Sequence, residues 1–302
     1  MSSGFELAGI TKAKIPEEDK ANINLWIQKK LFGDMEWFPK NNHIRLDFEN
    51  LGFIPKSVIM LGCSYYSKKN EEVLRKFKFK ISRYAVGKDY HNVLREKVKP
   101  LMVFLKDKFP VGKFRMSTDS LPISEKVLAN EAGLGWRGKN TNIINPEVGS
   151  FFFLAAILTD VSLSPNAQKI PDRCGKCRLC IEACPTGALF EEYKIDARKC
   201  ISYLTIEEKM SISADSFGFK TNGWIFGCDI CQEVCPWNRK KTNIFRMETK
   251  EPDFLASDLW RDSSEKEILE MEPKEFTVFQ KDSPLSRISF QKWRRNIQNF
   301  LD

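Results

Sequence analysis

Eight of the nine cysteines in this 302-residue chain lie within 62 residues, from Cys174 to Cys235. In a small secreted protein, such a density indicates disulfide bonds. The first 20 residues, however, carry seven charged side chains and no apolar block of the kind that a signal peptide needs. We therefore expect a cytoplasmic chain, in which clustered thiols stay reduced and more often hold metal than pair with each other.

The first half of this cysteine region has the spacing of bacterial iron-sulfur proteins. In that spacing the first three thiolates bind one cubane cluster, and the fourth, which precedes a proline, ligates a second cluster. The array is Cys174-x2-Cys177-x2-Cys180-x3-Cys184-Pro185. A second array must therefore exist.

The second array has an altered form, Cys228-x2-Cys231-x3-Cys235-Pro236, and lacks one upstream member, for which Cys200 is the only candidate. The crossed pattern predicts two [4Fe-4S] clusters. Four-thiolate zinc is the alternative, because C-x2-C pairs also occur in zinc ribbons, but two C-x2-C-x3-C-P endings are hard to explain with zinc. We assign the first cluster to Cys174, Cys177, Cys180 and Cys235, and the second cluster to Cys184, Cys200, Cys228 and Cys231.

The rest of the chain is too long for an electron carrier alone. About 170 residues precede the cysteine region, and the composition, 42% hydrophobic and 29% charged, is that of a globular protein. The longest apolar stretch, Phe151 to Leu158, is far shorter than the roughly 20 residues that cross a bilayer, so we expect no membrane partner. These observations predict a redox enzyme whose upstream residues bind a second cofactor and whose electrons come from an external donor.

Positive charge is concentrated in residues 66–115. This segment has fifteen Lys or Arg against five Asp or Glu, an excess of ten, whereas the whole chain has a formal charge of +8. A concentrated basic face attracts polyanions, and tRNA or another nucleic acid is the commonest such partner. A lysine-rich solvated surface is the alternative.

Hydrophobic periodicity and turn residues predict an α+β fold in three parts. Residues 1–165 form a mixed α/β domain that binds the second cofactor and the substrate, residues 166–245 form a ferredoxin-like domain with two clusters, and residues 246–302 form a short helical segment. The predicted helices are Glu17–Phe32, Val86–Phe109 with a kink or division at Pro100, Leu121–Gly133, and an amphipathic Phe290–Leu301 with Trp293, Ile297 and Leu301 on one side. The predicted strands are Ser57–Gly62, Thr141–Ile144 and Ser150–Thr159, and the residues Gly133–Asn140 form a glycine-rich loop.

The upstream half contains few recognisable cofactor motifs. No G-x-G-x-x-G follows a strand, so a Rossmann nucleotide site has no support. Asp89-Tyr90-His91 begins like the D-x-H-x-x-G box that supplies a histidine ligand to cobalamin, but Leu94 stands where the glycine is required. We therefore interpret His91 as a helical surface or core histidine rather than a cobalt ligand, and Cys63 as a small buried hydrophobe rather than a nucleophile.

Asp119 is the most suggestive acid of the upstream half. It lies just before the helix that Pro122 introduces, and the pattern alone favours an N-cap role, since Asp often caps helices. Glu125 is interpreted in the same way, as a capping or surface carboxylate.

Taken together, the motifs resemble the epoxyqueuosine reductase family, a group of cobalamin-dependent iron-sulfur enzymes related to reductive dehalogenases. The resemblance runs from about residue 57 to the C-terminus. Besides the first cysteine array, it rests on Ser82–His91, Thr118–Lys126, Ala132–Asn140, Gly149–Leu154, Asp196–Thr205 and Gly227–Arg239.

The resemblance implies the reduction of epoxyqueuosine to queuosine at the wobble position of a tRNA, by two-electron removal of the epoxide oxygen. It also implies cobalamin bound base-off with no protein ligand to cobalt, and it makes Asp119 the proton donor in place of an N-cap. A partly buried Asp is able to keep such a proton near neutral pH. The cobalamin contacts that it implies are Arg83, Asp119, Gly135, Asn140, Ile143, Asn145, Ser150 and Ser202.

One departure from the family pattern and two alternatives remain. Longer family members often continue into a helical-repeat domain after a segment like Ser283–Asn296, and only its start is present before Asp302. We expect this to affect tRNA affinity more than chemistry. The alternatives are a two-cluster electron-transfer protein without a substrate and a cytosolic reductive dehalogenase, although the first needs no large upstream domain and the second needs no basic face.

Overall fold

The computed structural model describes residues 4–166, 168–209, 221–239 and 248–301. Within these ranges, no helix combines the length and the apolar character that crossing a membrane requires. The strands are β1 (Leu7–Lys12), β2 (Ser57–Ser64), β3 (Lys80–Ile81), β4 (Phe114–Ser117), β5 (Trp136–Arg137), β6 (Ile143–Ile144), β7 (Phe152–Thr159) and β8 (Trp224–Phe226).

The helices of the upstream half are α1 (Glu17–Gln28), α2 (Trp37–Lys40), α3 (Asn42–Asp47), α4 (Lys68–Leu74), α5 (Tyr90–Lys108) and α6 (Glu125–Glu131). Those of the cysteine region are α7 (Leu179–Glu182), α8 (Ile201–Ile206), α9 (Ile230–Glu233) and α10 (Pro236–Arg239). Those that follow are α11 (Asp258–Asp262), α12 (Glu265–Leu269), α13 (Pro273–Phe279) and α14 (Phe290–Leu301). Short 3-10 turns cover Arg83–Ala85, Ala197–Lys199, Pro252–Phe254 and Pro284–Arg287.

An antiparallel sheet with the strand order β1-β2-β7-β4 forms the centre of the upstream half. Its inner strands β2 and β7 read as continuous apolar runs because both faces of the sheet are covered. Successive side chains of a strand point to opposite faces, so Val58 and Met60 pack with α6, whereas Ile59 and Leu61 pack with α5. The result is a sheet between two helical layers.

The helix α5 is continuous through Pro100, so the predicted division of this helix is wrong. Its residues Val93, Leu94, Val98 and Leu105 are all buried against the sheet on both sides of the proline. We attribute the continuity to this packing, because tertiary contacts override a local helix breaker when both halves of the helix bury the same face. The helix starts at Tyr90, four residues after the predicted start.

Other predicted elements differ mainly at their ends. The helix α1 ends at Gln28 rather than Phe32, and α6 begins at Glu125, so Pro122 precedes that helix instead of lying in its first turn. On β2, Cys63 is only 1% exposed, as expected for a buried hydrophobe, and burial raises the pKa of its thiol.

The C-terminal helices pack onto the cysteine region and onto residues near α4. One core contains Phe77, Phe226, Trp260 and Trp293 together, which joins three separate stretches of the chain. The amphipathic helix α14 confirms its prediction, since Trp293 and Ile297 are buried, but Leu301 is 60% exposed and does not lie on the buried side. The domain boundaries stay a prediction.

Candidate active site and iron-sulfur centre

The thiols assigned to the first cluster lie around one cavity. Cys174, Cys177, Cys180 and Cys235 line a space of about 140 Å³, together with Trp237. This volume is several times the share of one water molecule in the liquid, so it suits a polyatomic cluster better than a single ion. Burial and the charges of the other three thiols together raise the pKa of Cys180 to about 11. None of the four cysteines is in a disulfide.

The thiols assigned to the second cluster also form a group. Burial raises the pKa of Cys228 to a value far above that of a free thiol, and the nearby thiols of Cys200 and Cys184 add to this shift. Burial also raises the pKa of Cys231, and the charges of the Cys200 and Cys228 thiols raise it as well. Backbone N–H groups of Ser202 and Tyr203 act in the opposite direction on Cys200 and favour its thiolate. The described residues thus bring together the four cysteines of each predicted set.

Replacing Cys200 with Ser tests the least certain of these ligands. We expect the variant to retain about four of eight irons, because the first cluster uses none of the affected thiols. Iron analysis and electron paramagnetic resonance of the reduced protein measure the result. Full iron content with both cluster signals intact contradicts the assignment of Cys200.

Asp119 follows strand β4 in a loop of unusual backbone geometry. Its φ of 52° lies in the left-handed region, which few residues other than Gly, Asn and Asp adopt. Its backbone N–H donates to the carboxylate of Glu125 over 3.0 Å, and the hydroxyl of Ser117 donates to the same oxygen. The N-cap of α6 is Ser124, so Asp119 does not cap that helix.

The Asp119 side chain faces the start of α5. The hydroxyl of Tyr90 donates to the Asp119 carboxylate over 3.1 Å, and Nε2 of His91 lies 3.9 Å from the same oxygen. The other ring nitrogen of His91, Nδ1, lies 2.7 Å from the carboxylate of Asp89, which also accepts the backbone N–H of His91. Burial alone would raise the pKa of Asp89, but these bonds to His91 lower it overall.

The ring of Tyr90 is held between other aromatic rings. It stacks on the ring of Phe153 in β7, with ring centroids 4.4 Å apart. It also stacks on the ring of His91, with ring centroids 4.1 Å apart. Burial raises the pKa of Tyr90, so its phenol stays protonated and donates to Asp119. The side chain of Asp119 is 59% exposed, which is more than the partly buried carboxylate expected from the sequence.

Glu125 is not the capping or surface carboxylate that the sequence predicted, because it is enclosed by protein and accepts hydrogen bonds from Asp119 and Ser117. Burial and the neighbouring Asp119 carboxylate raise the pKa of Glu125 to about 8, so Glu125 is largely protonated at neutral pH.

Two charged groups near Asp119, Lys126 and Arg287, were not assigned from the sequence. Lys126 reaches solvent, but the protein around it lowers the pKa of its ammonium group. The charges of Cys231, Asp119 and Cys200 act in the opposite direction and raise this pKa. Arg287 from the C-terminal segment also interacts with Asp119 and Tyr90.

We call the space around Tyr90, Asp119, Lys126 and Arg287 the active recess. Its charged groups come from the upstream half and from the C-terminal segment, and Lys126 connects it to the thiols of Cys200 and Cys231. The charge of Lys126 thus acts both on Asp119 and on two thiols of the second cluster set. Lys126 also lines a cavity of about 670 Å³ between α1 and residues 190–195, a volume within the range of cofactor sites.

Arg83, a predicted cofactor contact, lies in an ion-pair network. Its guanidinium binds the carboxylates of Glu71, of Asp229 at 3.1 Å and of Glu233 at 2.7 Å. Asp229 directly follows Cys228, a predicted ligand of the second cluster, and is 1% exposed. The network thus fastens the upstream half to the loop that holds the second cluster.

The other predicted contacts lie mostly at the boundary between the upstream half and the cysteine region. Asn140 lines the first-cluster cavity and donates to the carbonyl of Cys231, and Ser150 bonds to Gln232 and Asn238. Ser202 lies beside Cys200, to whose sulfur its backbone N–H donates. The assignment of these residues as cobalamin contacts stays a prediction.

Three further predicted contacts have structural partners inside the upstream half. Asn145 donates to the carbonyl of Leu134 and accepts two backbone N–H groups, and Ile143 is buried in the core below α6. A Cβ at Gly135 would collide with the carbonyl oxygen of Ile144. Gly135 is therefore required by the close approach of β5 and β6.

Fold and thiol geometry together define a two-cluster iron-sulfur oxidoreductase. Residues 173–238 match the family model described as 4Fe-4S double cluster binding domain, which settles the choice between clusters and zinc. Residues 45–120 match the model described as Epoxyqueuosine reductase QueG, DUF1730.

Relatives with longer matches specify the class further. An epoxyqueuosine reductase from Cyclobacterium marinum is 40% identical over 295 residues, which cover 97% of this chain and 92% of that protein. A crystal structure of an epoxyqueuosine reductase with an epoxyqueuosine-modified tRNA-Tyr stem loop matches with a TM-score of 0.84, 28% identity, and coverage of 99% of this chain and 78% of that one. A Bacillus subtilis epoxyqueuosine reductase, solved with its catalytic aspartate loop swung out of the active site, matches with a TM-score of 0.79, 28% identity and the same coverage. This chain belongs to the epoxyqueuosine reductase family.

Proposed function

We propose that this chain reduces epoxyqueuosine to queuosine within tRNA, with Asp119 as the proton donor. The observation that carries the proposal is the active recess, in which the exposed Asp119 carboxylate and two thiols of the second cluster set act on the same Lys126 ammonium. The reaction converts an epoxide, two electrons and two protons into an alkene and one water molecule. Because its substrate is tRNA, we propose that the reaction takes place in the cytoplasm.

Cobalamin is the second cofactor that we propose, held by the eight predicted contacts. Arg83, Asn140, Ser150 and Ser202 among them bond to residues of the cysteine region, which supports a cofactor between this region and the upstream half. The cavity of about 670 Å³ that Lys126 lines has the volume of a cofactor site, but none of the eight predicted contacts lines it, so we do not place cobalamin there. When bound, the clusters and cobalamin supply the electrons for the reduction.

The residues of the recess position and move protons. Asp119 delivers a proton from its carboxyl group to the departing epoxide oxygen, while the Tyr90 hydroxyl orients that group. Since Asp119 is exposed to solvent, water replaces the proton after each turnover. The protonated Glu125 accepts the Asp119 N–H without placing a second full negative charge beside the donor.

A basic surface on α5 suits the tRNA backbone. Arg95, Lys99, Lys106 and Lys108 are exposed on this helix, and phosphate contacts of this kind supply most sequence-independent affinity for nucleic acid. Arg83, by contrast, belongs to the basic segment 66–115 but is used in the buried ion-pair network. The basic segment therefore includes both a surface and an internal part.

The reaction itself is tested with protein purified without oxygen, reconstituted with iron, sulfide and cobalamin, and incubated with epoxyqueuosine-containing tRNA and a strong reductant. We expect queuosine in the tRNA, measured by mass spectrometry after digestion, together with about eight irons and one cobalt per chain. Full cofactor content without queuosine contradicts the proposed substrate.

The histidine beside Asp119 offers a separate test of how cobalt is held. One nitrogen of His91 is engaged by Asp89 and the other faces Asp119, so we propose that neither coordinates cobalt. We expect His91→Ala to bind cobalamin with an unchanged cob(II)alamin electron paramagnetic resonance spectrum. Loss of a nitrogen hyperfine pattern in this variant contradicts the proposal.

A further inference from the structure

The two cluster sets differ in their surroundings. The charge of Lys126, which acts on Asp119, also acts on the thiols of Cys231 and Cys200 in the second set. The cysteines of both sets are partly exposed, apart from Cys235, which is buried. The residues beside them differ, since residues 173, 175, 176 and 178 around the first set are exposed, whereas Ile201, Gly227 and Asp229 beside the ligands of the second set are buried. An electron-donating protein therefore has its most accessible contact at the loop of the first set.

The loop 173–178 is strongly basic. It contains Arg173, Lys176 and Arg178, all exposed, and no acidic residue. In the described part of the chain, no carboxylate lies within ion-pair distance of Arg173 or Lys176, whereas Arg178 pairs with Glu192 at 2.8 Å. The next residue, Leu179, is 46% exposed and gives the surface an apolar contact point.

The loop is also held in a fixed shape. The ammonium of Lys139, only 5% exposed, donates to the carbonyl of Gly175 over 2.6 Å and pairs with Glu192. The guanidinium of Arg173 lies 5.9 Å from the ring of Trp237, which lines the first-cluster cavity. A rigid surface with unpaired cations at a redox centre suits brief, electrostatically steered encounters.

We propose that the surface formed by Arg173, Lys176, Arg178 and Leu179 docks an acidic one-electron carrier protein, which reduces the first cluster. Each encounter oxidises the carrier by one electron and reduces the cluster by one. Two encounters supply the two electrons of one turnover. The proposal rests on the presence of the clusters and on the reductase function proposed above, for which it names the class of electron donor.

The test measures cluster reduction alone, without tRNA or cobalamin, so that it does not depend on the proposed substrate. The clusters of R173E/K176E are reduced by reduced flavodoxin, an acidic carrier, in a stopped-flow instrument that follows the iron-sulfur absorbance. We expect the second-order rate constant at low salt to fall at least about tenfold, and the normal decrease of the rate with salt to be lost. Reduction by the small cation of reduced methyl viologen at high salt should change by less than roughly twofold.

The matched control is K12E/K14E, which makes the same change in net charge at two exposed lysines at the end of β1, away from the proposed docking surface and the proposed tRNA surface. Its rate with flavodoxin should stay close to that of the unaltered protein. An equal fall in both variants, or no fall in R173E/K176E, overturns the proposal. So does a variant that keeps its rate with flavodoxin and loses affinity for tRNA, because the loop is then a nucleic-acid contact.

A second variant tests the proposal in case the first variant binds its cluster poorly. If R173E/K176E contains less iron than the unaltered protein, R173Q/K176Q removes both charges without introducing acids beside the thiolates. We expect a smaller fall in the rate with flavodoxin, about threefold or more, at full iron content. An unchanged rate in this variant contradicts the proposal.

Discussion

Arg83→Met should destabilise the protein more than any other single change outside the cysteines. We expect a loss of about 3–5 kcal/mol in the free energy of unfolding, the usual cost of breaking a buried ion pair. This corresponds to a fall in melting temperature on the order of 10 °C. Thermal unfolding of the cluster-loaded protein, followed by circular dichroism, measures the change.

The size of the effect follows from what the arginine leaves behind. Its side chain is 15% exposed, and Asp229 beside it is 1% exposed. Two further carboxylates, of Glu71 and Glu233, face the same guanidinium. Without Arg83, three acidic groups share a largely dry space, and burial already raises the pKa of Asp229.

The control is Arg178→Met. Arg178 is 48% exposed and pairs with a single carboxylate, that of Glu192. Exposed pairs of this kind contribute about 0.2–1 kcal/mol, so the control should unfold almost like the unaltered protein. If Arg83→Met unfolds normally but fails to bind cobalamin, then Arg83 acts as the predicted cofactor contact and not as a structural ion-pair partner.

The cluster ligands could be assigned from the sequence, and stay a prediction, because the information that specifies them is local. A C-x2-C-x2-C-x3-C-P run specifies cluster geometry within a dozen residues. Cys200 required a further step, since only elimination pointed to it, and the structure places its thiol with those of Cys184 and Cys228. The strands β2 and β7 were predictable for a similar reason, as continuous apolar runs.

The active recess was less predictable because distant stretches of chain meet there. Lys126 lies within a motif that resembles the family, yet nothing in the sequence shows that its ammonium reaches the surroundings of Cys231. Arg287 comes to the recess only through the packing of the C-terminal helices. The link from Asp89 through His91 to Asp119 combines a local turn with a loop 28 residues away, and only the fold brings the loop to α5.

Asp119→Asn is expected to have the largest effect on catalysis. Asn is nearly the same size as Asp and adopts the left-handed backbone conformation as readily, so the loop with its φ of 52° should keep its shape. The amide oxygen still accepts the Tyr90 hydroxyl, whereas the side chain no longer carries an acidic proton. We expect turnover to fall about 10²- to 10⁴-fold, as for other lost general acids.

Binding and chemistry should separate in this variant. Iron content should match that of the unaltered protein, because Asp119 belongs to neither cluster set. Cobalamin content and the dissociation constant for epoxyqueuosine-containing tRNA should match as well, because Asn keeps the size and an acceptor oxygen of the predicted contact Asp119. The measurement is queuosine formed in tRNA over time under single-turnover conditions, which excludes product release. Asp107→Asn, an equal substitution at an exposed position of α5, is the control. Near-normal queuosine formation by Asp119→Asn contradicts a role of Asp119 as the proton donor. Asp119 then has only a structural role in its loop, which Asn fills equally well.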